Sequence, residues 1–251
     1  MTKLERTTFE TSRAAEYFDA RQLSALTGVP RQEFGSVCLK ELVDNALDAC
    51  ETAGVAPEIG IEAEYMVEKD PELVRLSVSD NGPGMPPSLV ERILDYNVRV
   101  SDKMAYRSPT RGAQGNALKT IIGIPYALGG EASDPIIITA RGVRHTIRPW
   151  IDPGGHVRIS HDKADENGSS EDIGGTRITL TIPLESPGLD EEDVLHWLRS
   201  FAAFNPHSTF RYKVRAAPQK RPKFTNPPKS TPSRSTSPPS RPVRIGTARG
   251  H

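Results

Sequence analysis

The sequence predicts an α+β fold, with helices on one face of a mixed, mostly antiparallel sheet. Three observations predict it. A long helical repeat over 33–53 is followed by two short alternating stretches, 58–67 and 75–79. Four more strand-like stretches cluster at 136–140, 143–148, 157–160 and 176–182. A helix from 190 to about 205 and a strand at 208–214 then close the pattern.

Taken in order, 13–26 places Ala14, Ala15, Phe18 and Leu23 among polar neighbours and reads as a helical entry segment ended by Gly28-Val-Pro30. The 33–53 helix carries Leu39, Leu42, Val43, Ala46 and Cys50 on one side and stops at Gly54. Residues 58–67 alternate through Ile59, Ile61, Ala63 and Tyr65, and 75–79 through Leu76 and Val78, ending in the turn signal Asp80-Asn-Gly-Pro-Gly84. A short helix is expected at 87–94. The pattern is lost over 96–111, as suits a mobile lid, and a helix over 115–128 follows despite Pro125. Asp190-Glu-Glu-Asp193 makes a good first helical turn, because carboxylates suit the positive end of the helix dipole. Ala20 to Phe34 has the rhythm of a helix-turn-helix, but its second helix carries Glu41, Asp44 and Asp48, which is unsuited to facing phosphate.

Composition bounds the function. The chain has 251 residues, enough for one large core. No apolar run is long enough to cross a bilayer, and Lys3, Glu5 and Arg6 do not begin a secretory signal, so a soluble cytoplasmic protein without membrane partners is expected. Cys38 and Cys50 share one predicted helix roughly 18 Å apart, too far for a disulfide. The net charge of zero hides an asymmetry. Residues 216–251 hold eight Lys or Arg and no Asp or Glu, so they carry +8 and residues 1–215 carry −8. The division expected is therefore a folded domain over 1–215 and a disordered, Pro/Ser-rich basic tail over 216–251. The tail is either a solvated linker or a non-specific tether to DNA.

Three motifs carry chemistry. In a helix, positions four and seven apart share a face, so Glu41, Asn45 and Asp48 form one polar stripe. An amide oxygen at Asn45 suits magnesium held mainly by water and triphosphate. A carboxylate one turn earlier, at Glu41, suits deprotonation of an attacking water. An amphipathic helix with a solvated acidic face would show the same stripe. Asp80, at a strand end, can accept a hydrogen bond from the exocyclic amine of adenine, with Gly82 and Gly84 letting backbone approach the base; a plain hairpin turn would read alike. Gly112-Ala-Gln-Gly115-Asn116 opens a helix, where backbone N–H groups make an anion site. Lys119 either adds charge there or is a surface lysine. This is no P-loop, since Leu118 precedes Lys119 where that motif needs glycine. Thr176, opening a strand after Gly174-Gly175, is placed to bond Asp80 or the base through water.

Together these motifs resemble the GHKL ATPases, the group that includes gyrase B, heat-shock chaperones, mismatch-repair ATPases and histidine-kinase ATP domains. The likeness is strongest to the family of the topoisomerase VI B subunits. It rests on Glu41 through Cys50, Val78 through Met85, Arg111-Gly-Ala-Gln-Gly115, Gly175-Thr176 and Trp197 through Ser208. It implies a two-layer α/β sandwich of the GHKL (Bergerat) type with ATP between the helices and a lid. Carried over by position, Glu41 is the general base and Asn45 the Mg2+ ligand. Asp80 reads adenine, and Thr176 supports the base pocket. Gly112 and Gly115 cradle phosphate. Asp48, Gly82, Gly84, Met85, Asn116 and Lys119 complete the nucleotide-binding set.

The sequence departs from that pattern at Ala117, where the family's lid has a third glycine; 116–119 is closer to the lid of MORC-type ATPases. Nothing after 215 resembles the transducer domain that supplies a lysine to the γ-phosphate. The expectation is thus a slow ATPase, not a topoisomerase on its own, whose ATP-dependent lid closure and homodimerisation gate a DNA-processing partner protein. A protein kinase of the anti-sigma or histidine-kinase class and a non-hydrolysing nucleotide-dependent adaptor are the alternatives.

Overall fold

The computed structural model describes residues 13–96, 117–166, 174–184 and 189–216. Its helices are α1 (Ala20–Thr27), α2 (Phe34–Thr52), α3 (Pro87–Leu94), α4 (Ala117–Gly129) and α5 (Glu191–Phe204). The strands are β1 (Glu58–Met66), β2 (Leu73–Ser79), β3 (Ile136–Ala140), β4 (Val143–Ile151), β5 (Val157–Asp165), β6 (Thr176–Pro183) and β7 (Thr209–Ala216). They form one sheet in the order β5-β4-β3-β6-β2-β1-β7. Every pairing among the described residues is antiparallel except β1 with β7, which α5 makes parallel by carrying the chain back across the helical layer. The mixed, mostly antiparallel sheet is the one the sequence predicts.

The period of two along each strand decides which face is buried. Ile59, Ile61 and Ala63 of β1, Val74, Leu76 and Val78 of β2, Ile136 and Ile138 of β3, and Ile178, Leu180 and Ile182 of β6 all enter one core. Leu39, Leu42, Val43, Ala46 and Leu47 of α2, Ile121 and Ile124 of α4, and Val194 and Leu198 of α5 meet them there. The opposite sheet face is polar. It carries the pair Arg75–Glu64 at 2.8 Å and the hydroxyl contact Ser77–Thr179 at 2.8 Å. Cys38 and Cys50 are free thiols buried in the core.

Two expectations need correction in detail. The entry segment is not one helix: 13–18 is a 3-10 turn, and α1 starts afresh because Asp19 is extended and its Oδ1 accepts from the N–H groups of Arg21 and Gln22, both at 2.9 Å. β4 and β5 run three and five residues beyond their expected ends, since their pairing continues to Ile151↔Val157 and Val143↔Asp165 without apolar alternation on β5. The entry segment lies against α4 at Gly123, where a Cβ would stand 1.8 Å from the Tyr17 carbonyl oxygen.

Candidate functional site

The end of β2 delivers Asp80 to a corner built from three chain segments. Asp80 is 8 % exposed, and its Oδ1 accepts from the N–H of Gly82 at 2.8 Å and of Thr176 at 3.2 Å. Among the described residues no hydrogen bond uses its Oδ2. Burial pushes the carboxyl above the ordinary aspartate range, and the two N–H donors only partly oppose it. Close approach makes two glycines obligatory. A Cβ on Gly175 would lie 2.0 Å from the Asp80 carbonyl oxygen, and one on Gly84, at φ 73°, would lie 2.9 Å from Cγ of Arg141. Thr176 meets the Asp80 carboxylate through its main chain. Its backbone N–H holds Asp80, while its hydroxyl oxygen accepts from the N–H of Met85 at 3.0 Å.

Asn81 ties this corner to α2. Its Nδ2 donates to the Ala56 carbonyl at 3.0 Å, and its Oδ1 accepts from the Glu58 N–H at 2.9 Å and the Cys50 thiol at 3.2 Å. Gly82 packs against Ala49, with a Cβ there meeting α2 at 3.4 Å. At 1.5 Å rise per residue, Asn45 lies about 6 Å and Glu41 about 12 Å back along the helix from Ala49. The stripe therefore leads away from the Asp80 corner in order.

The stripe itself is more open. Glu41, Asn45 and Asp48 are all half-buried. Lys40 bridges two carboxylates, with Nζ 3.0 Å from Glu41 Oε1 and 2.9 Å from Asp44 Oδ2. Burial pulls the Lys40 ammonium down, but Asp44 and Glu41 outweigh it and leave it raised. Asn45 is the anomaly. Its Nδ2 is buried and has no hydrogen-bond partner among the described residues, a state that costs free energy unless a ligand completes it.

Lys119 is not a surface lysine. It is 2 % exposed in the first turn of α4, its Nζ donating to the Asp95 carbonyl at 2.6 Å beneath the Tyr96 ring. Tyr96 returns a bond from its hydroxyl to the Lys119 carbonyl at 3.1 Å. Burial holds this ammonium below the ordinary lysine range. Gly112, Gly115 and Asn116 lie outside the described residues, as does all but Tyr96 of the lid expected over 96–111.

Two contributors were missed by sequence reasoning. Arg141 donates its Nε–H to the carbonyls of Pro83 and Gly84, and Asn81 read only as turn chemistry. An Arg-Gly pair between two strand stretches is a signal that could have placed a hairpin there, but nothing local shows where its side chain lands.

The sequence model of the histidine kinase-, DNA gyrase B-, and HSP90-like ATPases matches residues 36–186, more than half of the chain. The chain belongs to this ATPase family. The matched span contains every candidate site residue from Glu41 to Thr176. Among curated proteins it is similar to the B subunit of type 2 DNA topoisomerase 6 from Thermococcus kodakarensis, 28% identical over 67% of this chain and 29% of that one. The protein of the same name from Natronomonas pharaonis is 27% identical over 69% of this chain and 21% of its own length. That of Methanosarcina mazei is 34% identical over 43% and 17%. The chain thus spans less than a third of each of these relatives. As a member of the family, it places the Asp80 corner at the end of a central strand and the Glu41–Asp48 stripe on the long helix packed beside it. No helix among the described residues is long and apolar enough to cross a membrane.

Proposed function

We propose that this chain binds Mg-ATP between the Asp80 corner and α2 and hydrolyses it slowly, and that ATP-dependent closure and self-association gate a DNA-processing partner. The observation that carries the reading is Asn45, a half-buried residue whose buried Nδ2 no described residue satisfies, one turn from Glu41 on the same face of α2. A ligand lying along α2 would supply that partner.

In this reading the adenine sits at the Asp80 corner. The Oδ2 that protein donors leave unused accepts from the exocyclic amine, and Gly82 lets the base approach backbone. The triphosphate then runs back along α2. The Asn45 Oδ1, together with the phosphates, would hold Mg2+, which would neutralise the charge of the β- and γ-oxygens, while its Nδ2 would donate to a phosphate oxygen. Glu41, one turn further, orients a water and takes its proton. Its Oε1 is tied to Lys40, so its second oxygen is the one left for the water. Gly112, Gly115 and Asn116 supply backbone N–H groups to phosphate. The Lys119 ammonium, held on Asp95, braces the start of α4.

Support for the partner comes from the relatives, which bear the name of a DNA topoisomerase subunit. Support for DNA contact comes from the eight cations of 216–251. The experiment is light scattering with and without a non-hydrolysable ATP analogue, alongside single-turnover hydrolysis for wild type and Glu41→Ala. Doubling of mass with the analogue, and turnover lost while the analogue still binds, are the expected results. A mass that ignores nucleotide would rule out gating by self-association; turnover intact in Glu41→Ala would remove the assigned base.

A further inference from the structure

The tip of the β3–β4 hairpin holds an outlier. Arg141 has φ 51° and the following Gly142 has φ 70°, so both central residues of the two-residue turn are left-handed. That turn type suits the twist of a hairpin and is ordinarily filled by Asn, Asp or Gly. An arginine there is strained, because its Cβ crowds the following carbonyl. Backbone outliers of this kind persist where the surroundings hold them, and they cluster at functional sites.

What holds Arg141 is the glycine turn beside Asp80. Its Nε–H is shared between the carbonyls of Pro83, at 3.1 Å, and Gly84, at 3.0 Å, 58 and 57 residues away in sequence. Its aliphatic stem packs so closely on Gly84 that a Cβ there would stand 2.9 Å from Cγ. The hairpin is itself anchored, since Ala140 pairs with Thr176 across β3 and β6. The 82–85 turn is thus gripped at three successive points: Gly82 by Asp80, Pro83 and Gly84 by Arg141, and Met85 by Thr176. Arg141 is exposed, so burial of apolar surface does not account for its place.

We propose that Arg141 is a positioning residue for base recognition: its clamp on Pro83 and Gly84 sets the distance between the glycine turn and the Asp80 carboxylate, and so the width of the slot that admits adenine. The proposal rests on the ATP reading above. It predicts a defect confined to the base end of the nucleotide. Loosening the turn lets the base sit off the Asp80 acceptor, while contacts along α2 are untouched.

Arg141→Asn separates the strain from the clamp, because Asn tolerates the left-handed backbone and cannot reach the two carbonyls. The experiment is competition binding of ATP and GTP to wild type, Arg141→Asn and Arg141→Gly, with melting curves for each. Expected are melting temperatures equal to or above wild type, ATP affinity about tenfold weaker (about 1.4 kcal/mol), and an ATP-to-GTP preference reduced by the same factor. ATP affinity at the wild-type level in both variants would overturn the proposal. So would an equal loss for ATP and GTP, or a lowered melting temperature that accounts for the weaker binding. Wild type failing to bind ATP would be a different outcome, bringing down the nucleotide reading itself.

Discussion

The Asp80 corner and the Glu41–Asp48 stripe are two halves of one candidate site, and they are built on opposite principles. At the corner, main-chain groups do the positioning. Asp80, Gly82, Met85 and Thr176 are locked by short bonds, and Gly84 and Gly175 stand where any side chain would collide. Along the stripe, half-buried side chains from a single helix share one face, and Asn45 buries an amide arm with no described partner. The difference teaches which half is preorganised. Base recognition costs little reorganisation if its acceptor is already fixed. In the proposed reading the stripe is the phosphate end, and its unsatisfied amide would trade apo stability for ligand affinity.

The comparison breaks most completely at Gly175. Gly175→Ala puts a methyl 2.0 Å from the Asp80 carbonyl oxygen, with backbone on both sides of the clash. We expect destabilisation of roughly 1–3 kcal/mol, seen as a lower melting temperature, together with loss of detectable ATP binding. Normal binding would show that the corner is not rigid. After that loss of fold and binding together comes the stripe's own chemistry. Glu41→Gln keeps the shape of the side chain and removes the base, so single-turnover hydrolysis should fall by about 10²–10⁴-fold with ATP affinity nearly unchanged. Equal losses in both would assign Glu41 to binding rather than proton transfer.

Asn45→Ala sharpens the contrast because its two effects carry opposite signs. Removing the unpartnered amide should stabilise the apo protein by about 1 kcal/mol, while Mg-ATP affinity falls. Calorimetric melting of the apo protein and a nucleotide titration read the two separately; an apo protein destabilised by the change would mean that the amide is satisfied without ligand.

The smallest effect is that of pH. Burial raises the Asp80 pKa above 3.8, so the folded protein holds this proton more tightly than the unfolded chain. Its contribution to stability is therefore fully present below the unfolded value and is lost as pH rises through the folded one. ATP affinity runs the other way, since the ionised carboxylate is the stronger acceptor. Titrations from neutral pH downward should show affinity falling at a pH above the ordinary aspartate range, a limb absent from Asp80→Asn. The same limb in both proteins would place the titrating group elsewhere.

How far the sequence could be read follows the same divide. The stripe was legible because 3.6-residue periodicity brings Glu41, Asn45 and Asp48 to one face and Leu39, Leu42 and Val43 to the other. The alternation of β1, β2, β3 and β6 was legible because one face of each is buried. β5 was cut short because at the sheet edge its residues are mostly polar on both faces. Asp19 hid a helix start inside an apparently continuous helix. Arg141 and Asn81 were invisible for a different reason. Their partners lie 57 and 25 residues away for Gly84 and Ala56, so their roles exist only after the sheet has formed.

The central claim is that this fold holds ATP with its base on Asp80. The most direct test is isothermal titration of Mg-ATP into wild type and Asp80→Asn, with melting curves confirming that both are folded. Saturable one-site binding to wild type, lost or weakened at least tenfold in folded Asp80→Asn, is the predicted result. Wild type without binding heat at any temperature, or Asp80→Asn binding as tightly as wild type, would contradict it.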